Sequence, residues 1–507
     1  RSVRDRWTPP YGRNKTVNAD FSELTIACSQ HGYRFNIVVR AYDAGAAIRY
    51  DLTSAPGGTA TIAAEQTGFA LADGTLIYGS RGEEPYTLCA PSDIPDSGPT
   101  NTDQGRLFDT PVTAVTPSGA VCLAESARLN YPRLMFAASG TGLVTRLMQH
   151  AAGDSSGAPT AAVAKTFQLK TPASTPWRVV TVGTDGVDLI NHSDLVASVA
   201  APSRISDTSW IKPGKVFTVW QQGQTTETGT DGVDFALERG LEYIAFDAGW
   251  YGNESDPSSD PTKVIDGLDM KKVISYGAGK GIGVILYINQ VALSHYDVNT
   301  TFATLKKWGV AGLKLGFLTE GTQRLNNTVV GYAETAAKYH LLVDTHDNLR
   351  PWGQERSYPH WLNMEGVRGN ENYPTATHNV MLPFCRNVGG PLDYTPCIRP
   401  PKGRATPAHQ VATTVVYYQP LEFLFWGGSP DDYRDKDYPE LAFLKTVPSV
   451  WDESTALAGE IGQYIVMARR SADDWYLGAM TDQQKRLIRV PLKFLGAGSW
   501  TATIYAD

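Results

Sequence analysis

Two glutamates, Glu365 and Glu371, stand six positions apart in the stretch NMEGVRGNENY, with Arg368 and two glycines between them. Carboxylates so placed on one loop can be a surface charge pair, join Arg350, Arg356 and Arg368 in a structural ion network, or serve as the working carboxylates of an enzyme. Position alone leaves the three readings open. Other polar residues end apolar runs elsewhere: Trp220 and Gln221 after VFTV, Asp247 and Trp250 in FDAGW, Asn289 and Gln290 in YINQ, Gly316 in KLGF, and His346 with Asp347 in THDN. His346 reads as a hydrogen-bonding residue rather than a metal ligand, because no second histidine lies at ligand spacing. Asp247 reads equally as a loop cap and as a substrate contact, and Trp250 equally as a packed ring and as a stacking surface.

What must position these residues is a series of apolar strands, most followed by an amphipathic helix. VFTVW precedes DGVDFALERG, LEYIAFDAGW precedes MKKVISYGAGKG, GVILYIN precedes TFATLKKWG, AGLKLGF precedes VVGYAETAAKYH, and LLVDTHD leads to LNMEGVRG. Further on, HQVATTVVYYQ precedes PLEFLFWGG. Continuously apolar strands alternating with helices predict parallel pairing, and about eight such units over roughly 240 residues fit a (β/α)8 barrel with its active site at the C-terminal strand ends. A doubly wound sheet is the alternative, but no GxGxxG loop opens the first unit. Upstream, short strands such as FNIVVRAY, AAIRYDL, AVCLAES and WRVVTV predict a large β-sandwich over residues 1–207. The barrel is then expected over 208–450, and the strand patterns GQYIVMARR, DWYLGAM, KRLIRVPL and SWTATIYA predict a small antiparallel C-terminal sheet domain over 451–507.

Carboxylates, amides and aromatic rings gathered on one barrel rim suit a carbohydrate, which offers flat CH faces to rings and fixed hydroxyls to polar groups. A chain of 507 residues with net charge -7 and scattered Lys and Arg has no basic stripe for a nucleic acid. It also has no apolar run long enough for a transmembrane helix. The start at Arg1 reads as a mature or trimmed form. Five sequons, at Asn14, Asn191, Asn253, Asn299 and Asn326, favour a secreted eukaryotic glycoprotein. Of the five cysteines, Cys385 and Cys397 flank a Gly-Gly-Pro turn and read equally as a disulfide or as two buried thiols. Oligomeric state is not legible.

Several longer stretches resemble glycoside hydrolase family 97, calcium-dependent α-glucosidases and α-galactosidases. VVRAYDAGAAIRYDL, AESARLNYPRLMF and TPWRVVTVG are similar to its sandwich motifs, and SDTSWIKPGKV to the entry of its barrel. RPWGQERSYPHWLNMEGVRGNENY and HNVMLPFCRNVGGPLDYTP follow in the family's order. The resemblance implies an N-terminal β-super-sandwich, a (β/α)8 TIM barrel and a C-terminal antiparallel β-sheet domain. It also implies that Glu371 is the general acid, and that Glu365 and the sandwich residue Glu125 hold Ca2+, with Asp347 and Glu371 assisting.

Three positions, 290, 316 and 347, depart from one or other branch of the family. Its retaining branch carries a nucleophilic aspartate where KLGF places Gly316, which cannot attack an anomeric carbon. Its inverting branch has glycine there and two glutamate bases, at positions that Gln290 and Asp347 occupy here. An amide has no basic site, so Asp347 is the expected base, and the acid and base are expected roughly 6.5 to 9.5 Å apart as inversion requires. Glu320, four residues beyond Gly316, is a reserve candidate. The expectation is therefore a calcium-dependent exo-acting α-glycosidase, inverting, with Asp247, Trp250, Asn289, Gln290, His346 and Arg350 contacting the sugar. Gln290 and Gly316 also fit a carbohydrate-binding homologue with lost or altered hydrolysis, or an engineered replacement of a catalytic residue.

Overall fold

The structure, a computed structural model, describes residues 1–96, 105–148, 166–220, 223–398, 405–425 and 427–507, so Gln221 lies outside the described residues. In the N-terminal region the strands Phe21–Gln30, Tyr33–Tyr42 and Gly45–Ser54 form a meander. Trp177–Gly183 joins this meander to Gly119–Ser126 and Val112–Thr116 in one ten-stranded antiparallel sheet. A four-stranded sheet containing Leu134–Ser139 and Gly142–Leu147 packs on it through Leu123, Phe136 and Leu143. Alternate residues of each strand supply that core, which is the period-two pattern that signalled the sandwich.

The central sheet has seven parallel strands. They are β1 (Gly214–Val219), β2 (Tyr243–Phe246), β3 (Gly283–Asn289), β4 (Gly312–Gly316), β5 (Leu342–Thr345), β6 (Trp361–Met364) and β7 (Leu421–Leu424). Their order is β6-β5-β4-β3-β2-β1-β7. Helices cover the outer face, so the strands are buried on both sides, as their unbroken apolar sequences require. Helix starts are set locally: Thr225, for example, caps Thr226–Arg239 by accepting from the Thr228 amide, and Gly240 ends that helix at φ 66°.

The expected eighth unit is the point of difference. Among the described residues no strand lies between β6 and β7. The chain crosses there as an irregular segment carrying Asp393, held where Asn370 N donates to Tyr394 O (2.8 Å) and Leu392 N to Tyr418 O (3.2 Å). A side chain helps close the seam: Asn363 on β6 donates Nδ2 to Leu421 O (2.5 Å) and accepts the Leu421 amide on β7 (3.4 Å).

The C-terminal sheet contains Glu453–Glu460, Tyr464–Ser471 and Asp474–Thr481. KRLIRVPL and SWTATIYA alternate like strands but form none, leaving Leu487 and Ile504 87% and 82% exposed. A pattern becomes a strand only where a neighbour completes its ladder, and these two segments have none among the described residues.

All five cysteines are free thiols, so Cys385 and Cys397 take the second of the two readings. Asn326 is buried, its amide bonded to Gly321 N and Tyr131 O, which removes one sequon from those open to modification. Among the described residues no helix is long and apolar enough to cross a membrane. Replacing Asn363 by leucine should strand two buried backbone groups and cost about 1–3 kcal/mol. The check is denaturant unfolding, with faster amide exchange at β6 and β7.

Candidate active site

At the C-terminal end of β5 the chain turns sharply. Asp347 sits at φ 67°, donates its amide to Glu365 Oε2 (2.6 Å), and accepts the Phe317 amide with its own carboxylate. The ends of β4, β5 and β6 are thus tied through one residue. Beside it, His346 lies between Glu365 (Nδ1 to Oε2, 3.0 Å) and Asp393 (Nε2 to Oδ2, 2.8 Å). Burial opposes its charge, but Glu365 and Asp393 hold the imidazolium well above its ordinary range.

The carboxylates of Glu83, Glu365 and Glu371 converge, one oxygen of each lying within 4.8 Å of the others. Glu83 comes from the sandwich and was not singled out in the sequence, where Gly-Glu-Glu after a strand reads as a solvated turn. Burial, with Asp347 and Glu371 adding repulsion, pushes Glu83 up to about 7, and burial with Glu83 and Glu371 pushes Glu365 up as well. Glu365 Oε1 is buried with no hydrogen-bond partner. Three converging carboxylates, one with a buried orphan oxygen, are a donor set that fits a hard divalent cation.

Glu125 stands elsewhere, which corrects the expectation for it. Its two oxygens are taken by Arg128 (2.9 Å) and Arg178 (3.1 Å) in a buried network. Arg128 and Arg133 also hold Glu320, so the reserve candidate is a buried ion-pair partner rather than an acid or base. With both of its oxygens engaged by guanidinium groups, Glu125 has none turned toward the Glu83, Glu365 and Glu371 cluster.

Arg350 is likewise not placed against a substrate. Its guanidinium is buried and donates to Ser80 Oγ (3.0 Å), Gly82 O (2.5 Å) and Tyr86 Oη (3.4 Å), pinning the sandwich loop that carries Glu83 onto the barrel. Arg356 pairs with Asp5 and Arg368 donates to Asn372 O, and Glu371 forms no ion pair with a described residue. The structural network considered for the two glutamates is therefore not formed.

The remaining expected contacts divide. Trp250 is fully buried, donating its indole N–H to Tyr287 O (2.7 Å) and packing edge-on to Tyr251 and Trp308, so it is a core residue. Among the described residues, Trp220 and Phe317 are exposed aromatic rings at strand ends, 41% and 55% exposed. Asn289 spends its amide internally, accepting Val291 N (2.9 Å) and donating to Tyr287 Oη (3.2 Å). Gln290 is tied to Thr319, and Asp247 to Lys314 (2.8 Å). Burial works against Asp247, but the Lys314 ammonium holds it below the usual carboxylate range.

Asp347 is pushed up, first by burial and also by the charge of Glu371. A carboxylate of raised basicity near an acid that no cation neutralises is an arrangement for proton transfer. At the end of β4 no side chain intervenes: Gly316 leaves its space to the ring of Tyr287.

Sequence profiles give this geometry relatives. The Glycosyl-hydrolase 97 N-terminal profile matches residues 1–202, Glycoside hydrolase 97 matches 208–367, and Glycosyl-hydrolase 97 C-terminal, oligomerisation, matches 450–507. A retaining alpha-galactosidase of Bacteroides thetaiotaomicron is 36% identical over 367 residues, 66% of this chain but 54% of that protein. A probable retaining alpha-galactosidase of Streptomyces bingchenggensis is 30% identical over 538 residues, covering all of this chain and 78% of the relative. The structure of a Glycoside Hydrolase Family 97 enzyme from Pseudoalteromonas sp. strain K8, in complex with acarbose, superposes with TM-score 0.86 at 27% identity. That match covers 98% of this chain and 83% of the other.

The raised carboxyls have a stability signature. Glu83 titrates near 7 in the fold and lower when unfolded, so its contribution is full at acid pH and lost as pH rises through about 7. In chelator the melting temperature should fall between about pH 5 and about pH 8, and Glu83→Gln should flatten that fall. Glu125→Gln should instead cost about 3–5 kcal/mol across that range by leaving buried guanidinium charge underpaired. Calorimetry of the variants checks both.

Proposed function

Because the chain belongs to glycoside hydrolase family 97, we propose that it is a calcium-dependent, exo-acting α-glycoside hydrolase that inverts the anomeric centre. The observation that carries this reading is the meeting of Glu371, Asp347, Glu365 and Glu83 at one end of the barrel, where Glu371 has no ion-pair partner and Asp347 is made more basic. The sandwich loop pinned by Arg350 walls one side of that rim, which supports a pocket for a chain end rather than an open cleft. The names of the relatives and the acarbose complex support an α-linked sugar. Exposed sequons at Asn253 and Asn299 support an extracytoplasmic setting.

Glu371 donates its proton to the glycosidic oxygen as the bond to the anomeric carbon lengthens. Asp347 takes a proton from a water on the opposite face, and the water oxygen forms the new bond, so the configuration inverts. His346 keeps Glu365 in place, and Glu83, Glu365 and Glu371 would hold the ion. Bound there, calcium would supply a fixed positive charge that permits Glu83 and Glu365 to remain ionised together while Glu371 keeps its proton for the leaving oxygen. The relatives are named retaining, but the retaining nucleophile would project from position 316, where Tyr287 fills the space. That supports inversion in this chain.

The test is incubation with α-glucosides and α-galactosides, with and without EDTA, following the released anomer by NMR. Inverted product, lost on chelation and restored by calcium, is expected. Absence of turnover on any activated glycoside would leave a carbohydrate-binding protein, and a retained anomer would remove Asp347 from the role of base. Glu371→Gln should lower kcat by about 10²–10⁴ on unactivated substrates and much less on substrates with good leaving groups. Because the base must be ionised, the acid limb of kcat/KM should lie above the usual aspartate value of about 3.9, and Asp347→Asn should abolish the activity that this limb reports.

A further inference from the structure

Gly316 ends β4 at the point where a side chain would reach into the rim, and that volume is occupied. A Cβ there would lie 2.2 Å from Cε2 and 2.5 Å from the hydroxyl oxygen of Tyr287. No side chain fits at 316 while Tyr287 keeps its place. A lone replacement of aspartate by glycine would have left a void, whereas here a ring from β3 packs into it. Gly316 and Tyr287 are a matched pair.

Tyr287 is held at both ends: its backbone carbonyl accepts the Trp250 indole N–H (2.7 Å), and its Oη accepts Asn289 Nδ2 (3.2 Å). Asn289 is itself fixed by Val291 N (2.9 Å) and by its amide bond to Tyr251 Oη (3.0 Å). Since Asn289 donates to the oxygen, the single phenolic proton is directed to another acceptor. The hydroxyl abuts Gly316, and the next residue, Phe317, gives its amide to the carboxylate of Asp347. Phenol and carboxylate therefore flank one dipeptide at the end of β4.

We propose that the Tyr287 hydroxyl is the donor that holds the attacking water against Asp347. The water accepts from Tyr287, gives one proton to Asp347, and turns its other lone pair to the anomeric carbon. The carbon–water bond forms as the glycosidic bond breaks, and the proton of Glu371 goes to the leaving oxygen. Tyr287 keeps its proton throughout. This rests on the inverting reading given above.

Tyr287→Phe keeps the ring and removes only the donor. The expected result is a fall in kcat of about 10²–10³ with KM within about twofold and an inverted product. Its melting temperature should stay within a few degrees, which separates the effect from unfolding. Gly316→Ala should lower kcat by displacing the ring, and in the Tyr287→Phe background it should add little, because both changes remove one contact. Wild-type kcat in Tyr287→Phe, with inverted product and inactive Asp347→Asn, would overturn the role of Tyr287 alone. A retained anomer from the wild type would overturn the inverting reading and this inference with it.

Discussion

Arg350 is the point on which the site depends. A buried guanidinium needs its donors satisfied, and three of its contacts here lie on the sandwich rather than the barrel: Ser80, Gly82 and Tyr86. Gly82 permits the approach, since a Cβ on it would lie 1.9 Å from Asn348 Oδ1. Satisfying one barrel arginine therefore docks a whole domain and delivers Glu83 to the strand ends. A second contact, Arg128 and Arg133 on Glu320, reinforces the docking from the other side of the interface.

The two sets of buried charges differ in their partners. In the network of Glu125, Glu65, Asp109 and Glu320, three arginines are shared among four carboxylates, and the pairs of Arg128 and Arg133 with Glu320 join the sandwich to the barrel. At the rim, Glu83, Glu365, Glu371 and Asp347 share one nearby imidazolium, and the surplus appears as raised carboxyl titration. Deeper in the barrel, Asp344 is pushed up to about 8 by burial and by Asp393, so that layer stays close to neutral beneath the site.

The end of β4 is packed by groups from β3. Position 316 is small, Tyr287 fills the volume, and Asn289, expected to face the sugar, is spent on orienting that phenol. Gln290 is joined to Thr319 and keeps the following loop in place. Tyr287 fills the space beside Gly316, and the side chains of Asn289 and Gln290 are both engaged within the protein.

The three-domain order, the parallel barrel and the placing of Glu365, Glu371, His346 and Asp347 at strand ends were legible in the sequence, because strand periodicity and strand-end position are local properties of the chain. What failed there was whatever needed a partner. KRLIRVPL and SWTATIYA have a strand's alternation without a ladder, and the expected eighth barrel strand is an irregular crossing. Trp250 and Arg350 have residue types that suit a ligand, yet the nearest groups to satisfy them are Tyr287 O and the sandwich loop. Glu83 and Glu125 could be told apart only by the docking of the domains, which surrounds one with carboxylates and the other with arginines. Charge balance is a property of neighbours in space, and for groups from different domains the tertiary structure alone decides who the neighbours are.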